Sequence, residues 1–144
     1  MPFLIDGSNV LGVMRLDRHS VEAKRELARL CAMFARAKRT RVTCYFDGNE
    51  PPAFARHFGN TTIVFSGART ADELISQRTE ESASKLTVVT SDRELATRVG
   101  RKRLQVMTAH DFVQELRELR SDPETMRDED WAAWFADPKN RGDF

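Results

Sequence analysis

Three short apolar runs in this chain end on an aspartate: Phe3–Leu4–Ile5 on Asp6, Cys44–Tyr45–Phe46 on Asp47, and Val88–Val89, through Thr90 and Ser91, on Asp92. Apolar runs of this length, bounded by turn residues, read as buried strands. The stretches between them carry helical spacing. Strands alternating with helices predict a mostly parallel sheet covered on both faces, with right-handed crossovers. Parallel strands bring their carboxyl ends to one edge, and open α/β sheets bind ligands beyond that edge. Burying an ionised carboxylate without a partner is costly. Asp6 therefore belongs at a wet rim, facing a cation.

The intervening segments support this layout. "SVEAKRELARLCAMFARAKR" places Leu27, Leu30, Cys31 and Phe34 on one helical face, with Ser20 as its N-cap. "TTIVFSG" reads as a strand and "TADELISQRTEESASK" as a helix whose Thr70 and Glu73 have capping-box spacing. "DRELATRVG" is a short helix closed by Gly100, "RLQVM" a last strand and "TAHDFVQELREL" a last helix. The expectation is a three-layer αβα sandwich around a sheet of about five strands.

At 144 residues the chain has the size of one domain. Hydrophobic residues at 40% against 31% charged exclude a disordered chain. No apolar run approaches the ~20 residues of a membrane span. The N-terminus has no basic region followed by a long apolar stretch, so a cytoplasmic location is expected. Cys31 and Cys44 lack metal or redox spacing and read as reduced core thiols. Charge divides the chain: residues 1–120 hold 20 Lys/Arg against 15 Asp/Glu, and residues 121–144 hold 3 against 7. The expected organisation is a domain over 1–120 and an acidic tail over 121–144. Asp122 and Pro123 there begin a short helix, and Trp131, Trp134 and Phe135 suit it to docking.

Asp72 falls in the first turn of its helix and so faces the same edge as the three strand-end acids. Singly, each has an ordinary explanation, in a helix dipole or an Asp–Gly turn. Together, Asp6, Asp47, Asp72 and Asp92 point to a hard divalent cation, Mg²⁺ or Mn²⁺, which takes oxygen ligands. Packed acids raise each other's pKa values, and a metal removes that penalty while activating water and stabilising a phosphoryl group. Phosphodiester hydrolysis fits this set better than glycoside or acyl chemistry. His19, His57 and His110 stand away from the predicted strand ends, which leaves no Ser–His–Asp arrangement. Asn9, Ser8 and Ser91 are candidates to orient an acid or a water, with local backbone bonding as the plainer role. Capping explains Glu73.

"LIDGSNVLG", "FDG", "ARTADELI" and "VVTSDRELA" together resemble the NYN domain of the PIN-like nuclease superfamily, nearest to its YacP-like group of ribosome-associated endoribonucleases. The resemblance runs over about residues 2–118 and does not extend to the tail. It implies a PIN-like sheet, Mg²⁺ or Mn²⁺, and cleavage of single-stranded RNA. It implies metal-site and catalytic roles for Asp6, Asp72 and Asp92, a further acid at Asp47 and a supporting role for Asn9. Ser8 departs from the pattern, which has an aromatic residue there.

Arg56, Arg69 and Arg93 are the basic residues nearest the acids, and Phe54, His57 and Phe58 share the long loop with Arg56. Such a loop clamps phosphate and stacks a base, or its phenylalanines pin it to the core. Arg36, Lys38, Arg39 and Arg41, with Arg101, Lys102 and Arg103, belong to the opposite edge and suit a larger partner such as ribosomal RNA. The leading expectation is a metal-dependent endoribonuclease. The alternatives are an RNA- or ribosome-binding module with little catalysis, and a phosphatase-like hydrolase with Asp6 as nucleophile. The last lacks the second acid it needs, since Ser8 holds that position.

Overall fold

The computed structural model describes residues 2–82, 85–101 and 104–120. Strand β1 (Phe3–Asp6) leads directly into helix α1 (Gly7–Val13), then α2 (Val21–Lys38) and β2 (Val42–Phe46). The short β3 (His57–Phe58) precedes β4 (Thr61–Phe65), α3 (Ala71–Glu81) and β5 (Thr87–Val89). The last elements are α4 (Arg93–Gly100), β6 (Gln105–Met107) and α5 (Ala109–Arg120). The sheet order is β3-β4-β2-β1-β5-β6. All pairings are parallel except β3 with β4. The sheet thus has six strands where about five were expected. The extra one is a two-residue antiparallel edge strand folded from the long loop.

Side chains alternate across a strand, and this alternation sorts the core into two layers. Ile5, Cys44, Phe46, Ile63 and Val89 face the side covered by α1, α2 and α5. Leu4, Tyr45 and Val88 face the other side, with Ile75 of α3 and Leu95 and Val99 of α4. The three-layer sandwich follows. On the first side Phe34 of α2 makes edge contacts with Phe3 and Phe112, at 5.0 Å in both cases. Leu27, Leu30, Cys31 and Phe34 are all buried, as the helical face predicted. Cys31 and Cys44 are buried free thiols, and burial pushes Cys44 well above the ordinary thiol range.

Three local details settle in the structure, and one expectation changes, that for Gly100. Helix α1 occupies a stretch to which the sequence reading assigns no element, with Gly7 first and Gly12 next to last. Gly7 is needed there: a Cβ would meet Phe46 Cε1 at 2.6 Å and Cys44 Sγ at 2.8 Å. Gly100 does not close α4 in a left-handed cap. It is the last helical residue, and Arg101 caps the helix at φ −62°. Phe54 is buried and meets Phe65 edge-on at 5.0 Å, so it pins the long loop to the core and is not free to stack a base. Lys102, Arg103 and everything read for residues 121–144, the tail helix and its tryptophans included, lie outside the described residues.

Candidate active site

The sheet order turns at β1: β2 and β4 lie to one side of it, β5 and β6 to the other. The β1–β5 boundary is therefore a topological switch point, where a crevice opens beyond the strand ends. Asp6 ends β1 at that boundary and caps α1, accepting a hydrogen bond from the Asn9 amide at 3.4 Å. From β5's side the Thr90 hydroxyl donates to Asp6 Oδ2 at 3.3 Å. That same oxygen of Thr90 accepts from the Asp92 amide at 3.0 Å. The Asn9 side-chain oxygen accepts from the Ser91 amide at 2.7 Å, a second bond across the crevice. Ser91 in turn accepts from the Ala109 amide at 3.0 Å and ties the β5 end to α5.

Asp6 is 8% exposed, and its carboxyl is pushed up to about 6 from an ordinary 3.8. Burial is the main cause. The hydrogen bonds from Asn9 and Thr90 oppose it, while the charges of Asp47 and Asp72 add to it. No base stands among these influences. Two of the other three predicted acids, Asp47 and Asp72, therefore act on Asp6 at this rim, the arrangement that favours a cation.

Each of the others already holds part of the scaffold. Asp47 is exposed, and its Oδ1 accepts from the Ala71 amide at 2.7 Å, fixing the start of α3. Its own amide donates to Ser8 Oγ at 3.3 Å. This gives Ser8 a purpose where the related pattern has an aromatic residue. Asp72 Oδ1 accepts from the Thr70 hydroxyl at 2.6 Å, and Oδ2 pairs with Arg98 at 3.1 Å. Asp92 is exposed and caps α4, accepting from the Glu94 and Leu95 amides at 2.9 and 3.1 Å. Only the Thr70 half of the capping box is made, to the Glu73 amide at 3.3 Å. The Glu73 carboxylate pairs instead with Arg69 at 3.4 Å.

No group of three His, Cys, Asp or Glu side chains among the described residues closes tightly enough to hold a metal with protein ligands alone. The donor chemistry fits a hydrated ion. Mg²⁺ keeps several waters and takes one or two carboxylates. Asp6 offers the buried, proton-hungry oxygen, with Asp47 and Asp72 flanking it.

Among the predicted RNA contacts, Arg56 pairs with Glu50 at 3.0 Å and Arg69 reaches Glu73 and Gln77. Arg93 opens α4 and is exposed. Thr90, which joins Asp6 to Asp92, was not among the predicted residues. Its only sequence signal is a hydroxyl closing an apolar strand. His110, expected to stand away from the strand ends, lines a cavity with Ser8 and Asn9.

A family model for the YacP-like NYN domain matches residues 3–134. The chain belongs to that family. The match passes beyond residue 120, so it takes in Trp131 and Trp134 as well. Membership supports a nuclease-type, RNA-related function. The fold is shared with solved structures. Rae1 (YacP) from Bacillus subtilis has a TM-score of 0.69 at 20% identity, over 94% of this chain and 87% of that one. A point mutant of the same protein has a TM-score of 0.66 at 22% identity, over 83% and 79%. No curated protein matches the chain.

Proposed function

We propose that this protein is an endoribonuclease that uses Mg²⁺ or Mn²⁺ to hydrolyse phosphodiester bonds in single-stranded RNA. The observation that carries the reading is Asp6: a buried carboxyl held near 6 by burial and by two neighbouring acids, at the switch point of an open α/β sheet. A divalent ion, when bound, supplies Lewis acidity and a water of lowered pKa. Asp6 is mostly ionised at neutral pH and presents its charge to that ion. Asp47 and Asp72 add negative charge from β2's end and α3. Asp92 completes the acidic rim from the β5 side. Asn9 and Thr90 hold Asp6 and the 90–92 turn in fixed relation, so the acids need not reorganise when charge develops.

A ribosome-bound role in the cytoplasm extends this proposal. Its support is Arg36, Lys38 and Arg41, which sit at the sheet edge opposite the acids, where the chain passes from α2 into β2. A binding module without catalysis is the second reading, favoured by the lack of a closed three-acid cluster among the described residues. Incubating labelled single-stranded RNA with the protein in Mn²⁺, in Mg²⁺ and in EDTA separates the two. Internal cleavage with metal, absent in EDTA and in Asp6→Asn, supports the enzyme. Binding without cleavage in every condition supports the module.

A further inference from the structure

Helices α1 and α5 pack side by side, and a cavity of about 720 Å³ opens between them and the turn after α1. Its wall on α5 is His110, Val113 and Arg117, spaced to share one helical face. Its other wall carries Arg15 and Arg18, with Val13 beneath. Arg15 has φ +60°, a left-handed conformation that L residues adopt rarely. Among the described residues no carboxylate and no Phe, Tyr or Trp side chain lines the space. Three guanidinium groups and an imidazole around one cavity form a concentrated basic patch on a chain whose net charge is +1.

The cavity borders the candidate site. Its inner end is Ser8 and Asn9, the residues that bond Asp47's amide and bridge Asp6 to Ser91. A ligand lying in it passes from bases to acids within the length of α1. A polyanion whose one phosphate needs a metal and whose neighbours need counter-charge matches that order. An acidic peptide matches the basic end alone.

We infer that this cavity is the track for the sugar-phosphate backbone of single-stranded RNA beside the cleaved bond, with Arg15, Arg18 and Arg117 on successive phosphates. The inference rests on the nuclease reading above. With three guanidinium groups as its charged lining, the track grips phosphates, which carry no sequence information, so binding here is tolerant of sequence.

The test uses the full chain with a short labelled uridine oligomer in EDTA, which prevents cleavage, and measures Kd against salt. Each lost phosphate contact lowers the slope of log K on log salt by ~0.7 for a single strand, so R15Q/R18Q/R117Q lowers it by about 2. Affinity falls on the order of tenfold at moderate salt. The control R29Q/R78Q/K85Q removes the same charge from exposed positions that neither line the cavity nor belong to the proposed ribosome-facing edge, and leaves the slope as in the wild type. A triple variant that melts like the wild type yet keeps its slope overturns the inference. So does an equal loss in the control, or no measurable RNA binding by the wild-type chain. Hydrolysis of bis(p-nitrophenyl) phosphate with Mn²⁺, a diester too small to need the track, stays unchanged in the triple variant. Its absence in the wild type counts against the nuclease reading and not against the track.

Discussion

Asp6 and Asp92 occupy equivalent places in the chain, yet the protein treats them differently. Each follows a parallel strand and each caps the helix that comes next. The Asp92 side chain is exposed and accepts two amide hydrogen bonds at good distances, the ordinary business of an N-cap. Asp6 is buried, accepts one long amide bond, and shares its surroundings with Asp47 and Asp72. Capping accounts for Asp92 in the folded chain. It does not account for Asp6, which stability alone would replace. Chemistry concentrates where the acid fits the scaffold worst.

The largest expected effect follows from that contrast. Asp6→Asn removes metal-dependent RNA cleavage by more than the roughly 10–100-fold that loss of an outer-shell partner costs. It also stabilises the fold near neutral pH. A folded carboxyl at about 6 against 3.8 unfolded means the native state binds more protons between those values. The Asp6 contribution to wild-type stability therefore falls as pH rises through that window and is flat above it. The stability gained by Asp6→Asn should be small near pH 4, grow to about 3 kcal/mol by pH 7, and stay level beyond. Urea melts across pH measure it, and a variant that is less stable at pH 7 makes Asp6 a structural residue.

Asp92 supplies the next test. Asp92→Ala should cost about 1 kcal/mol through the lost cap, and Asp92→Asn much less, because asparagine caps well. If Asp92 also serves the metal, Asp92→Asn loses cleavage while keeping its melting temperature. Full activity in that variant leaves Asp92 as a cap alone and breaks the symmetry of the two acids completely.

Much of this contrast was legible in the chain. The strand–acid punctuation placed Asp6, Asp47 and Asp92 at one edge because period-two burial and parallel order leave no other arrangement. Asp72 followed from Thr70, whose capping hydroxyl marks the helix start. What escaped depends on partners far apart in sequence. Thr90 meets Asp6 across 84 residues, and Arg98 meets Asp72 across 26. No local pattern encodes either bond. Helix α1 escaped because Gly7 and Gly12 depress its intrinsic propensity, and packing of Gly7 on Phe46 and Cys44 holds it in place. His110 was legible by the logic that placed Asp72, since the helix after the last parallel strand starts at the same edge; that logic was applied to the acids alone.

Two smaller perturbations sharpen the comparison. Thr90→Val takes a hydrogen bond from Asp6 and leaves the Asp92 amide without its acceptor. It should cost on the order of 1 kcal/mol and raise the Asp6 pKa further, so the acid limb of the activity profile moves to higher pH. An unmoved limb shows that Thr90 only shapes the turn. The smallest effect is expected from Arg98→Gln. Its pair with Asp72 is partly exposed, so stability should change by no more than ~1 kcal/mol, and less at high salt.

The most direct measurement is the titration of the Asp6 carboxyl carbon by NMR, with the side chain isotopically labelled and assigned through Asp6→Asn, first without divalent ions and then in Mg²⁺. The account predicts a midpoint close to 6 in the metal-free protein and a marked fall when Mg²⁺ is added, since the ion competes with the proton for the same oxygen. A midpoint near 4 that ignores Mg²⁺ contradicts it.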